Sequence, residues 1–525
     1  MKKLFTTVAL AVAAMAQTMA TDYTDWLYVT IAGTAVPAEE KTITVEANSD
    51  GTYCLSLDNF TITSGGETMN VGNITVDSVE ATVDGDVTRL STSQDITIES
   101  GDDATVVWLG PYLGSVPVSV VAEMRGDDML YAIIDIEFMS RQINVVFGNG
   151  GYQIGNSDFE NFHTATLTAL GSTFTSDEPD HWHSFMSASG TEMFLYFAGS
   201  EARTYISEEV RPGSDGESSV LLRSSSVMGI AVGNGTMTTG RINVGSATAS
   251  DTDSNYSYSD LTSTDTDGNG DPFYAIMYGK PDSLNVWVRF KQATHSDDAP
   301  YATISATVTD ESAYQEPYNS DSTYTNIVAR AANNAIEETG DDWTLISVPF
   351  DYDSFASAGA EQGAILVTVS TNATAGGGSD GDSLLVDDLE LIYNYKLSSL
   401  SLNGSAVDGF DKDVTEYSLS YAGEVSADDI EAVADGAGAT VTTELEDSES
   451  GVTATITVTS NDLKNSTVYT LDIEGASNGI NNVKTTTGNG TSTIYDLSGR
   501  QVTTATHGVY IVRKADGTTY KVVKK

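Results

Sequence analysis

Cysteine is almost missing from this chain. Its 525 residues include one, Cys54, so no internal disulfide can form and each domain must be held by burial. Basic residues are scarce too: 24 Lys and Arg stand against 75 Asp and Glu, a formal net charge of −51. A phosphate backbone or an anionic membrane surface would meet a repulsive field. That excludes nucleic acid as a partner and leaves neutral ligands and cations. Beyond the N-terminus no apolar run is long enough for a transmembrane segment. Convincing amphipathic helices are absent as well. Sheets without helices to cover them must cover each other, which predicts an all-β chain of sandwiches or closed barrels.

What is present suffices for packed cores: 40% apolar residues, with 25 Tyr, 15 Phe and 5 Trp, so disorder is not the default reading. The length suggests three or four domains of ~100–200 residues each. The opening "MKKLFTTVALAVAAMAQTMA" has a charged start at Lys2 and Lys3, an apolar core from Leu4 to Ala14 and small residues at Ala14, Ala16 and Ala20. It is expected to be a secretory signal peptide over residues 1–20, too short to span a bilayer. Cys54, in "GTYCLSLDNF", reads as a buried small hydrophobe, with no His or Arg close in sequence to activate it.

Strand signals dominate the remainder. "KTITVEANSDGTYCLSL" reads as a hairpin, its Asn48–Gly51 turn tolerating the positive φ that tight turns need. Composition divides the chain at 22–140, 141–395, 396–475, a polar linker at 476–490 and a tail at 491–525. The tail is set apart by charge: it carries six basic residues and two acids, Asp496 and Asp516, in a chain that is otherwise strongly acidic.

Four resemblances follow from these blocks. "GTYCLSLDNFTI" with "MNVGNITVDSV" resembles the calycin-like β-barrel of secreted bacterial proteins, which implies a small antiparallel barrel over 22–140. "NSDFENF", "WHSF", "DPFYAIMYGKPDSLNVWVRF", "DDWTLISVPFDY" and "SDGDSLLVDDLELIY" resemble, in order, the family named Putative Carbohydrate Metabolism Domain, which implies a jelly-roll sandwich over 141–395. "LSSLSLNGSAVDGFDKDVTEYSLSY" is similar to cadherin-like and immunoglobulin-type sandwiches, which implies a spacer with a Phe plug and a Tyr strand over 396–475. "YDLSGRQV" and "HGVYIVRKADGTTYKVVKK" resemble the C-terminal sorting domain of type IX (Por) secretion cargo, which implies a β module read by secretion machinery. The alternative for the tail is a terminal hairpin that caps its neighbour.

Several residues could carry chemistry. In jelly rolls of the resembling kind, acids on the first and last strands often hold structural calcium, which implies Asp158, Glu160, Asp387 and Asp388 as ligands; the alternative is a solvated acidic face. "DTDGNGD" places Asp265, Asp267, Asn269 and Gly270 at EF-hand positions, but Ile276 stands where the bidentate Glu belongs, so an Asp/Gly turn is expected. His181 and His183 flank Trp182 on one side of a strand and could ligate zinc, yet spacing supplies no third ligand; His163, His295 and His507 are scattered. Sugar binding needs an exposed aromatic plate, for which Trp182, Tyr278, Trp287 and Trp343 are the candidates, each equally readable as sandwich core. G-x-S-x-G, P-loop and H-E-x-x-H patterns are missing, and no pair of acids stands out for glycoside hydrolysis.

The function expected is that of a secreted or bacterial cell-surface protein, with the periplasm also open. It would bind a neutral glycan without catalysis and carry at most structural calcium. Two alternatives remain: a glycan-degrading enzyme in the middle block, or a small-ligand or adhesion protein working through the N-terminal barrel.

Overall fold

The computed structural model describes residues 20–31, 34–64, 67–84, 87–126, 129–138, 141–214, 216–229, 231–462, 464–478, 484–485, 493–496, 501–502, 508–513 and 519–524. The expected signal peptide and most of the expected 476–490 linker lie outside them. The chain forms two compact units, Met1–Gly150 and Gly151–Lys525. It is all-β, as expected, and among the described residues no helix is long and apolar enough to cross a membrane.

The first unit is a closed antiparallel barrel of eight strands in chain order: β1 (Thr21–Ile31), β2 (Thr34–Ala47), β3 (Tyr53–Ser64), β4 (Glu67–Asp84), β5 (Val87–Thr97), β6 (Ser115–Arg125), β7 (Met129–Phe138) and β8 (Arg141–Phe147). Closure comes from β1 pairing with β8, Leu27 opposite Phe147. The expected boundary at 140 was therefore too early: β8 hydrogen-bonds to both β7 and β1, and without it the barrel would keep two open edges. Period-two alternation decides which side chains enter the barrel. On β5, Leu90 and Ile96 are buried while Arg89, Ser91, Ser93 and Asp95 are exposed; on β6, Val116, Val118, Val120, Ala122 and Met124 are buried. This apolar-inside, polar-outside order is the reverse of a membrane-spanning porin barrel. A short helix α1 (Gly110–Leu113) interrupts the connection from β5 to β6.

The second unit contains two antiparallel sheets from the middle block. One has the order Thr204–Ser207, Ser219–Arg223, Ser383–Ile392, Ser283–Lys291, Thr344–Pro349. The other is built on Thr236–Thr238, Ala364–Ser370, Ala302–Thr309 and Ile327–Ile336. Val286, Val288 and Phe290 of the first, and Ile304, Ala306 and Val308 of the second, are fully buried. The opening and closing segments of the block meet, since Leu389 N donates to Ser157 O at 2.8 Å. A hairpin, β9 (Phe162–Ala169) with β10 (Ser172–Pro179), stands beside these sheets.

Residues Leu397–Glu474 form two further sheets around their own core of Leu400, Val425, Ile456, Tyr469 and Leu471. Phe410, the expected plug, stacks on Tyr417 with ring centroids 5.6 Å apart. In the tail, the described backbone forms a four-stranded sheet in the order Gln501–Val502, Thr493–Asp496, Gly508–Arg513, Thr519–Lys524.

Candidate functional site

The barrel core is divided along its length. Tyr23, Val79, Leu90, Met124 and Phe147 are buried and fill one part. The remainder is lined mainly by Val, Ile and Leu side chains, with Phe60 and Met69, that do not meet across the middle. They leave a cavity of about 390 Å³ bounded by residues such as Leu27, Leu55, Val76, Val118 and Ile134; Ser56 is the sole polar residue of its wall. Eight strands give a lumen just wide enough either to be filled or to hold one small ligand, so the choice of side chains decides between the two.

The β5–β6 connection forms one rim of the opening. It is pinned to β4 by reciprocal backbone bonds between Asn73 and Glu99 and by Leu109 N donating to Asn70 O at 2.9 Å. The approach is so close that a Cβ at Gly110 would stand 2.4 Å from Ile98 Cγ2, and one at Gly72 2.0 Å from Glu99 O. Leu109 and Leu113 thereby reach the cavity wall, while Val107 and Tyr112 remain exposed. Cys54, expected in the core, is half-buried on β3 opposite Glu46, and burial raises its thiol above the usual range. It is not a lumen residue.

The expected aromatic plate does not assemble as one surface. Trp182 is fully buried, its ring 5.3 Å from Phe159, so it is core. Tyr278 is half-buried beside Gly151. Trp287 is half-buried on Ser283–Lys291, directly across from exposed Leu345, and Trp343 is half-buried just before the neighbouring strand Thr344–Pro349. Each has a guanidinium over its ring, Arg211 at 5.5 Å from Trp287 and Arg289 at 5.7 Å from Trp343.

The four acids expected to hold calcium lie close together, but protein donors already engage several of their oxygens, while Asp387 Oδ1 is buried without a partner. Asp388 pairs with Arg211 and accepts from Ser214 Oγ at 3.2 Å. Glu160 accepts from the backbone N–H groups of Glu217 and Ser218 at 2.9 and 3.0 Å. Asp387 Oδ2 accepts from Arg211 N at 2.7 Å, and burial pushes its carboxyl up to about 6. Burial also raises Asp158, reinforced by Glu160 and Asp388. The Arg211 guanidinium thus supplies the positive charge this cluster needs.

A different cluster forms where the sequence had only fragments. His163 on β9 and Glu178 on β10 are cross-strand partners. His183 bridges Thr238 through its backbone. Asp267 arrives on the 260–272 loop, its Oδ1 taking the N–H groups of Asn269, Gly270 and Asp271. His163 Nε2 lies 3.2 Å from Asp267 Oδ2 and 3.9 Å from Glu178 Oε2, and His183 Nε2 lies 3.7 Å from Asp267 Oδ2. Burial pushes His183 down to about 4, so it is neutral at pH 7. His181 does not join: it is half-exposed and pairs with Asp271 at 3.0 Å. Asp265 turns to Arg241 instead. Two histidines at i and i+2 share a face only in a continuous strand, and His181, at φ 67°, breaks that geometry. Sequence reading missed His163 and Glu178, since a cross-strand pair leaves no short-range spacing to find.

The fold of the first unit is thus that of a closed eight-stranded barrel with an apolar lumen. Residues 19–150 match the family model of the calycin-like beta-barrel domain. No curated protein matches the chain. Among solved structures, a putative glycoside hydrolase from Bacteroides thetaiotaomicron is similar at 14% identity and a TM-score of 0.31, covering 64% of this chain and 87% of its own. A putative outer membrane protein from Bacteroides fragilis is similar at 10% identity and a TM-score of 0.18, covering 67% of this chain and 96% of its own. Neither likeness carries functional weight at these scores.

Proposed function

We propose that this chain is a binding protein whose N-terminal barrel holds one small apolar molecule. The observation that carries this reading is the unfilled lumen: about 390 Å³ with a wall apolar except for Ser56. Ligand pockets span roughly 300–1,000 Å³, and an apolar cavity of this kind stays dry until an apolar guest enters. The wall holds no base to pair with an acid, so the guest is an uncharged hydrocarbon chain or ring system. Any polar group it carries would sit at the Leu109–Leu113 rim.

The test is titration of the full chain with an environment-sensitive apolar dye, displacement by uncharged long-chain alcohols, and mass spectrometry of an organic extract of the purified protein. Saturable dye binding that is lost in Val118→Phe supports the reading. Dye binding absent from the wild type, together with an empty extract, would defeat it.

Glycan capture by the second unit is the second reading. It is favoured by half-buried Trp287 and by Trp343 just before the neighbouring strand Thr344–Pro349, with exposed Leu345 paired across from Trp287. A calcium ion at Asp158, Glu160, Asp387 and Asp388 belongs to this reading and would have to displace Arg211. A glycan array run with and without calcium decides it: binding lost in Trp343→Ala supports it, and no bound glycan removes it. In both readings the chain works outside the cytoplasm, with its tail addressing secretion machinery. Export of a reporter fused to residues 491–525 tests that step.

A further inference from the structure

The "HWH" triplet and the "DTDGNGD" turn each contribute one residue to a single buried point. Four buried polar atoms without hydrogen-bond partners stand there: His163 Nε2, Glu178 Oε2, Asp267 Oδ2 and His183 Nε2. Among the described residues fifteen such atoms occur, so about a quarter of them gather at one spot. Buried polar atoms are normally paired, and orphans concentrated in this way call for a missing partner.

We propose that His163, Glu178, His183 and Asp267 form a closed binding site for one divalent transition-metal ion of the zinc class. The donor set decides the class. Two imidazoles with two carboxylates suit zinc and its neighbours, whereas calcium and magnesium take oxygen ligands. His163, Glu178 and Asp267 present atoms that all lie within 4.8 Å of one another, and against the ~3.3 Å between donors that a tetrahedral ion ~2.0–2.1 Å from each would set, His163 stands 3.2 Å from Asp267 and 3.9 Å from Glu178, while His183 is placed by its 3.7 Å distance to Asp267.

The outer partners aim the donors inward. Asp180 Oδ1 lies 2.9 Å from His163 Nδ1, which turns Nε2 toward the point. Glu178 Oε1 accepts from Ser184 N at 2.7 Å and from Ser187 Oγ at 3.1 Å, leaving Oε2 free. Asp267 Oδ1 accepts from three backbone N–H groups, which leaves Oδ2 free. Each of these three ligands thus has one atom anchored and one presented, as outer-shell partners arrange at metal sites. The side chains of Glu178, His183 and Asp267 are at most 1% exposed, and that of His163 is 12% exposed. No open position faces solvent, so the ion is structural. It ties the β9–β10 hairpin, the His183 segment and the 260–272 loop together.

The test uses the full chain purified without an affinity tag. Metal content is measured as isolated, after stripping with a strong chelator, and after reloading with zinc or cobalt(II). The expected result is one equivalent of metal per chain, a fall of several degrees in the unfolding midpoint on stripping, and visible absorption of a tetrahedral cobalt site on reloading. Glu178→Gln and His183→Gln are expected to lose the metal and the cobalt spectrum, while His181→Gln and Asp158→Asn keep both. Glu178→Gln preserves side-chain shape, so circular dichroism separates loss of metal from loss of fold. Failure of zinc, cobalt and manganese alike to bind stoichiometrically would overturn the proposal. So would metal retained undiminished in folded Glu178→Gln.

Discussion

His163 and Asp267 meet side chain to side chain, Nε2 to Oδ2 at 3.2 Å, although one stands in a β-hairpin and the other in a loop distant in sequence. Both are anchored from behind, His163 by Asp180 and Asp267 by the backbone of its own turn. The contact therefore depends on groups that touch neither partner's reactive atom.

Asp180 follows as a positioning residue. Asp180→Asn should weaken zinc binding by about 10–100-fold while leaving the midpoint of the stripped protein unchanged, since loss of an outer-shell partner typically costs that much. A competitive chelator titration reads the affinity. Unaltered affinity would show that His163 needs no help to orient.

Filling the lumen should abolish binding without unfolding the barrel. Val118 is buried on the cavity wall. In Val118→Phe the ring enters existing space, so the penalty of about 1–3 kcal/mol for overpacking a full core should be largely avoided. Dye titration alongside thermal melting checks this: the expected pattern is lost binding with a midpoint equal to or above wild type.

The tryptophans should separate by role. Trp182 is fully buried against Phe159, and its indole N–H donates to Gly155 O at 3.2 Å. Trp182→Ala should cost about 3–5 kcal/mol, as expected for a large aromatic removed from a core. Trp343 is half-buried, and Trp343→Ala should cost far less. Denaturant unfolding measures both, and equal losses would contradict the assignment of Trp182 alone to the core.

Asp387 should make stability depend on pH with a sign opposite to that of a salt-bridged carboxylate. Burial raises its carboxyl to about 6 in the folded chain, while in the unfolded chain it titrates near ~3.9. The folded state therefore binds the extra proton between these values, and stability falls as pH rises through that window. Asp387→Asn can still accept from Arg211 N and carries no charge to bury. Its midpoint should gain on wild type between about pH 4 and pH 7. Parallel curves across that range would remove Asp387 as the cause.

Tyr469 should matter through its hydroxyl alone. That group donates to Lys412 O at 2.7 Å and accepts from Leu397 N at 3.1 Å inside the Leu397–Glu474 core. Tyr469→Phe keeps the ring but leaves both backbone groups without their partner, at a cost of about 1–3 kcal/mol. Urea unfolding, followed by fluorescence, reports the loss.

The sequence by itself determined the all-β build, because alternation in strands such as Ser115–Arg125 and the lack of amphipathic helices are local properties. It also determined the strong negative charge and the distinct character of the tail, which depend on composition alone. It ended the barrel at 140, before its eighth strand, since only pairing of Arg141–Phe147 with Thr21–Ile31 shows that the ring needs one. The lumen was decided by tertiary structure. Leu27, Val76 and Val118 look like any core residues in the chain, and whether they meet or leave a void depends on the radius that closure imposes. The meeting of His163, Glu178, His183 and Asp267 was decided in the same way. Their spacing follows from a hairpin register, a backbone bridge and a self-bonded turn brought to one point by packing, and no interval along the chain records it.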